Sequence, residues 1–217
     1  MKNIIRNFVV LEGTDGSGTT TQLAMLENKL KLTKMPPNGF FMTCEPSDRA
    51  AGALIRTALR KEIFLRPETM AWLFAADRNE HLYSNDGILE HCNRGELVVS
   101  DRYLLSSYVY QGLECGDTLP HMLNSPFPVP ELLLYLDIDI EIAQHRIENR
   151  TIREIYENLE FQRKVRDKYL SLMDECRNDG SRVVVIDASQ NPEKVADAVW
   201  RAVSNLPIFM SEAPLKQ

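Results

Sequence analysis

The run Phe8-Val9-Val10-Leu11 leads through Glu12 into Gly13-Thr14-Asp15-Gly16-Ser17-Gly18-Thr19-Thr20, after which Leu23, Leu26 and Leu30 recur at helical spacing. A short apolar run, a glycine-rich turn and an amphipathic helix in this order predict a buried parallel strand feeding a helix. The glycine spacing is that of a phosphate loop, Gly, four residues, Gly, Lys, then Ser or Thr, with Thr19 standing where the lysine belongs. Gly13, Gly16 and Gly18 let the backbone curl so that successive N–H groups, including those of Ser17, Thr19, Thr20 and Thr21, face a polyphosphate at the helix N-terminus. Thr20 is placed to offer its hydroxyl to Mg²⁺. The bland alternative is a glycine-rich turn without a ligand. Thr19 removes one fixed ammonium from the transferring group. In a characterised enzyme, loss of one transition-state donor costs about 3 kcal/mol, so the expectation is a replacement cation, a slow enzyme or a loop that only binds.

Four further apolar runs, Phe40 to Thr43, Leu97 to Ser100, Leu132 to Leu136 and Arg182 to Ile186, alternate with helical segments. The helices are expected at Ala50 to Arg60, from Pro67 toward His91 with a bend or restart at Asp86-Gly87, at Ile140 to Asn149, at Glu160 to Cys176 and at Pro192 to Val203. That alternation predicts a three-layer α/β fold with a mostly parallel five-stranded sheet, whose strand C-terminal ends form the ligand edge. The length of 217 residues admits one large domain or two small ones; with no linker or repeat in view, a single domain over 1–206 is expected, with 207–217 as a tail. The formal net charge of -6 argues against a nucleic acid polymer or an anionic membrane as partner. Cys44, Cys92, Cys115 and Cys176 are scattered, as expected of free thiols in a reducing compartment. No secretory leader or membrane-length apolar run appears, so the cytoplasm is the expected location.

The later segments carry a specific resemblance. Phe8 to Gln22, Thr43-Cys44-Glu45-Pro46-Ser47-Asp48, Leu73-Phe74-Ala75-Ala76-Asp77-Arg78, Ser100-Asp101-Arg102-Tyr103 followed by Ser106-Ser107 and Tyr110-Gln111-Gly112, then Leu134 to Asp137 and Val185 to Ala188, occur in the order of the thymidylate kinase blocks. The chain resembles that family from Phe8 to about Val203. The resemblance implies a P-loop nucleoside monophosphate kinase fold with a helical lid, about 145–157, and phosphorylation of thymidine monophosphate with ATP and Mg²⁺. It also implies a homodimer formed through helices away from the cleft.

By the same resemblance, Asp15 lies near the sugar 3′-hydroxyl and the Mg²⁺-linked phosphates; a turn-capping aspartate is the alternative. Phe74 resembles the ring that stacks on thymine, with Arg78 one turn on, reaching the base or its phosphate; a core Phe and a surface Arg would look the same. Arg102 can bind the acceptor phosphate through its guanidinium fork, with Asp101 orienting it or a Mg²⁺-bound water. Ser107 and Gln111 fall around the base, and Glu45 in the acceptor block. Cys44 departs from the family's arginine; Arg49 is the expected partial substitute, and Arg56 retains a second arginine of the block. Arg146, Arg150 and Arg153 fall in the lid, where one helical face could present them together and replace the missing lysine charge; an ordinary charged helix is the alternative. Gln190 resembles the loop beside the adenine. Two rival readings stay open: a kinase for another deoxynucleoside monophosphate or a nucleoside, and a noncatalytic nucleotide-binding protein of the same fold.

Overall fold

In the computed structural model, which describes residues 2–147 and 159–210, the five strands form one sheet. They are β1 (Ile4–Gly13), β2 (Phe40–Cys44), β3 (Leu97–Asp101), β4 (Val129–Asp137) and β5 (Arg182–Asp187), in the order β2-β3-β1-β4-β5 with every pairing parallel. The central position of β1 explains its apolar run. Alternate residues Phe8 and Val10 enter the core on one face, and Val9 and Leu11 enter that on the other. Helices α1 (Thr19–Thr33) and α9 (Pro192–Ser204) cover the second face, where Leu26 and Leu30 meet Val199 and Val203. The first face packs under α4 (Ile88–Asn93), α5 (Leu104–Cys115) and α8 (Leu159–Asp179). The helices α2 (Ala50–Leu59), α3 (Pro67–Tyr83) and α6 (Thr118–Asn124) pack beside it, and α7 (Ile140–Ile147) leads from β4.

Several boundaries differ from expectation for physical reasons. β1 begins four residues before Phe8, because the ladder passes through an irregularity between Ile5 and Val9. There Asn7 adopts φ 61 and its N–H donates to Glu131 Oε2 at 2.7 Å. The expected helix from Pro67 stops at Tyr83, and Ile88 starts a new one after Asp86 (φ 58) and Gly87. α5 carries no clear apolar stripe because it is buried over most of its circumference, and α6, at 7 residues, is too short to show one. Of the expected tail from 207, the first four residues form α10 (Pro207–Met210), and Phe209 packs edge-on to Trp200 with ring centroids 5.7 Å apart. No helix among the described residues is long and apolar enough to cross a membrane.

Candidate active site

At the carboxyl edge of the sheet, β1 delivers Gly13 beside Leu136 of β4, and the loop turns into α1. Gly16 and Gly18 adopt φ 85 and 97, values that L side chains rarely take. A Cβ on Gly16 would lie 2.4 Å from the Ala143 carbonyl oxygen of α7, and one on Gly13 would meet Ser17 Oγ at 2.3 Å. The loop is thus a cradle that only glycine closes. It opens on a cavity of about 570 Å³ lined by Gly16, Ser17, Gly18, Thr21, Arg146 and Gln190, among others. Arg146 donates to the Ala188 carbonyl at 3.0 Å, and Gln190 donates to Asp187 at 3.2 Å. The expected Arg150 and Arg153, and the lid beyond 147, fall outside the described residues.

Across the loop lies a second cleft of about 310 Å³, with Asp15, Asp101 and Arg102 on its lining together with Phe74, Arg78 and Gln111. The two groups are far apart in sequence and are joined by the fold. Arg102, at the turn from β3 into α5, adopts φ 67 and donates its N–H to Leu11 at 2.8 Å. A left-handed non-glycine residue held this way is a strained position of the kind found at functional sites. Its guanidinium reaches Asp15 Oδ1 at 2.6 Å and Tyr110 Oη at 3.2 Å. Asp15 is held on its other oxygen by Gln162 Nε2 at 3.0 Å, from α8.

Asp101 Oδ2 accepts a hydrogen bond from the Thr20 hydroxyl at 3.3 Å, while Oδ1 is buried without a partner. Burial pushes its carboxyl above the usual range, against the pull of Arg102 and the hydroxyls of Thr19 and Thr20. A buried carboxylate oxygen left open beside a P-loop threonine suits a hard divalent cation that keeps waters and phosphates in its shell. Among the described residues no cluster of three or more His, Cys, Asp or Glu could form an all-protein metal cage. Thr19 is itself buried.

Arg78 is only 1 % exposed and is spent largely on protein. Its Nε and Nη2 donate to Glu45 Oε2 at 3.0 and 2.6 Å, Nη2 to Ser107 Oγ at 3.2 Å, and Nη1 to Asn124 Oδ1. Glu45 Oε1 lies 3.3 Å from His81 Nδ1, whose other nitrogen is 2.6 Å from Thr43 Oγ1. The alternative of a surface Arg does not hold: Arg78 is a buried, pre-set donor that lines the cleft. Glu45, read as an acceptor-block residue, holds that donor. Gln111 is 2 % exposed, and its Oε1 is buried with no partner.

Two expected residues stand elsewhere. Arg49, the N-cap residue of α2, turns toward the Asn85 and Asp86 carbonyls at 3.3 and 3.4 Å and is not on the cleft lining. Arg56, two turns on, lines the cleft beside Cys44 and donates to the Pro46 and Ser47 carbonyls at 2.9 and 2.6 Å. Ser107 sits behind Arg78, while Ser106 takes the cleft position. The Cys44 thiol is pushed up to about 11, chiefly by burial, and stays neutral. Gln162, Asn124 and Tyr169 have no local sequence signal, and Glu12 falls in the Phe8 to Gln22 block without a role assigned to it. They are polar residues that read as strand end or helix surface until the fold brings them to the site.

The sequence matches the family model described as thymidylate kinase over residues 11–199. It is 39% identical over 203 residues to a "Probable thymidylate kinase" of Pyrobaculum aerophilum, covering 93% of this chain and 98% of that one. It is 36% identical over 207 residues to a "Thymidylate kinase" of Thermomicrobium roseum, covering 92% and 95%. With a family match over most of its length, laid on a glycine cradle and an adjoining arginine-lined cleft, the chain belongs to the thymidylate kinase family.

Proposed function

We propose that thymidine 5′-monophosphate occupies the 310 Å³ cleft, and ATP the adjoining P-loop cavity, for in-line transfer of the γ-phosphoryl group. The observation that carries the base assignment is the buried, unpartnered Gln111 Oε1 on the same cleft lining as the pre-set donor Arg78. A buried acceptor without a donor costs free energy until one arrives. Thymine brings an N–H at N3 beside a carbonyl at C4, the complement of an acceptor and a guanidinium on one cleft lining. Cytosine presents the reverse pattern. Phe74 supplies the stacking face.

At the other end, Arg102 and Arg56 take the acceptor phosphate, and Asp15, held by Arg102 and Gln162, faces the sugar hydroxyl. The acceptor oxygen is anionic at neutral pH, so alignment and charge compensation matter more than a general base. Thr20 and Asp101 would hold Mg²⁺, which when bound neutralises charge across the transferring phosphates. Arg146 lines the nucleotide cavity, and with Arg150 and Arg153 it is the proposed source of the charge that Thr19 does not supply. The chain acts as one kinase domain. The exposed apolar side chains Leu54, Phe64 and Trp72, on and between α2 and α3, are the proposed homodimer face, which sedimentation would test.

Purified protein with ATP, Mg²⁺ and a panel of nucleoside monophosphates is expected to form thymidine diphosphate fastest. Preferred turnover of a cytidine or purine nucleotide rejects the base reading. No diphosphate from any of them rejects the kinase reading for this chain.

A further inference from the structure

Glu12 has no part in the reaction as described, yet it is the most heavily bonded carboxylate at the site. It ends the apolar stretch of β1, is fully buried, and accepts four hydrogen bonds. Oε1 takes the N–H groups of Tyr103 and Ser106 at 3.0 and 3.2 Å, and Oε2 takes the hydroxyls of Ser106 and Tyr169 at 2.6 and 2.9 Å. Tyr103 is the N-cap residue of α5 and makes no side-chain cap of its own. The carboxylate from β1 therefore satisfies two orphan donors of the α5 N-terminus, where the helix dipole favours negative charge. Arg102 is the residue just before that cap.

The same two hydroxyls face the Arg102 guanidinium, whose Nη1 lies 3.4 Å from both Ser106 Oγ and Tyr169 Oη. A hydroxyl has one proton and two lone pairs. Ser106 Oγ and Tyr169 Oη also lie 2.9 Å from each other, so at least one of their two protons goes to Glu12, and the remaining lone pairs are left for Arg102. We infer that Glu12 is a positioning residue for Arg102: it caps α5 directly behind the left-handed turn and polarises Ser106 and Tyr169 so that they accept from the guanidinium. This rests on the reading of Arg102 as the acceptor-phosphate ligand.

The charged groups around Glu12 support a readout in pH. Burial raises its carboxyl to about 7, although Ser106, Arg102, Tyr169 and the Tyr103 N–H pull it down. Burial raises Tyr103 and Tyr110 of α5, Tyr135 of β4 and Tyr169 of α8 far from neutrality, and Cys176 of α8 to about 12. The other carboxylates on this side are Asp15, paired with Arg102, and Glu175 and Asp179 of α8, which share the pocket behind Glu12; of the shifted groups named, Glu12 is the one brought to about 7. Below that pH a protonated Glu12 must donate to a hydroxyl, reversing the relay.

The test compares wild type, Glu12→Gln, Tyr169→Phe and Arg102→Lys by kcat, by KM for each nucleotide, and by the pH dependence of kcat. Wild type should show an acid limb near pH 7 that Glu12→Gln lacks. Glu12→Gln should lower kcat by at least ~10-fold with KM for ATP within about twofold, and Tyr169→Phe should lower kcat in the same direction by less. Tyr169→Phe keeps the ring against Tyr135, so it decides the matter if Glu12→Gln does not fold. Wild-type kcat in Tyr169→Phe and in any folded Glu12→Gln, beside an impaired Arg102→Lys, overturns the proposal. Wild-type kcat in Arg102→Lys instead removes the reading of Arg102 on which it rests.

Discussion

Replacing Gln111 by leucine should stabilise the free protein and weaken its substrate, two effects of opposite sign from one side chain. Gln111 is 2 % exposed and its Oε1 has no hydrogen-bond partner. A buried polar atom left unpaired costs about 1–3 kcal/mol, and leucine has similar volume without that atom. Set against a modest repacking cost, the free enzyme should gain roughly 1 kcal/mol, which for a domain of this size moves the melting midpoint up by about 2–4 °C. The thymine N3–H would then meet a methyl group where it met an acceptor. Losing one neutral hydrogen bond of about 0.5–1.5 kcal/mol raises KM for thymidine monophosphate by roughly 2- to 10-fold. Preference over cytidine monophosphate should fall further, because the variant no longer presents an acceptor that clashes with the cytosine N3 lone pair. Thermal melts without nucleotide and steady-state kinetics with both monophosphates measure all three effects. A lower midpoint with unchanged KM and unchanged preference would refute the argument and make Gln111 a packing residue.

Two further changes test the frame around the site. Gly16→Ala places a Cβ 2.4 Å from the Ala143 carbonyl oxygen at φ 85. The left-handed strain alone is about 1–2 kcal/mol, and relieving the clash pushes α7 and Arg146 away from the loop. KM for ATP should rise by about 10-fold, with less change in KM for the acceptor; an equal effect on both would contradict the division into two cavities. Glu12 makes a signed prediction about stability. Its carboxyl is raised from 4.5 in the unfolded chain to about 7 in the fold, so its contribution is fully present below 4.5 and is lost as pH rises through 7. Denaturant titrations should show wild type losing about 3 kcal/mol relative to Glu12→Gln between pH 4.5 and pH 8. A constant difference across that window would place the Glu12 carboxyl near its ordinary value.

Both cavities draw on short local patterns, which is why so much of the architecture is legible in the sequence. Val9 and Val10 point to opposite sides of β1, and both sides are core, so the strand reads as an unbroken apolar run. The glycines announce the cradle because L side chains rarely take its backbone angles and a Cβ at Gly13 or Gly16 would clash. Phe74 and Arg78, a turn apart, stay together on the cleft because they share one face of α3. Where a buried helix has no polar face, as in α5, the periodic signal disappears and the element went unread.

The sequence alone shows the strand–loop–helix order and the glycine cradle, because each is encoded within a few consecutive residues, and the family, because its short blocks recur in order from Phe8 to about Val203. Tertiary structure alone decided which side chains enter the cleft. Ser106 lines it while Ser107 backs Arg78, because neighbours on a helix point about 100° apart. Arg56 lines it while Arg49 turns to the Asn85 and Asp86 carbonyls, because Arg49 is the extended N-cap residue two turns before Arg56 along the axis of α2. Glu12 became the cap of a helix 92 positions later in the chain, a partnership set by the parallel pairing of β1 with β3. Spacing along the chain carries no information about such contacts, since they depend on the distance between strand ends in the folded sheet.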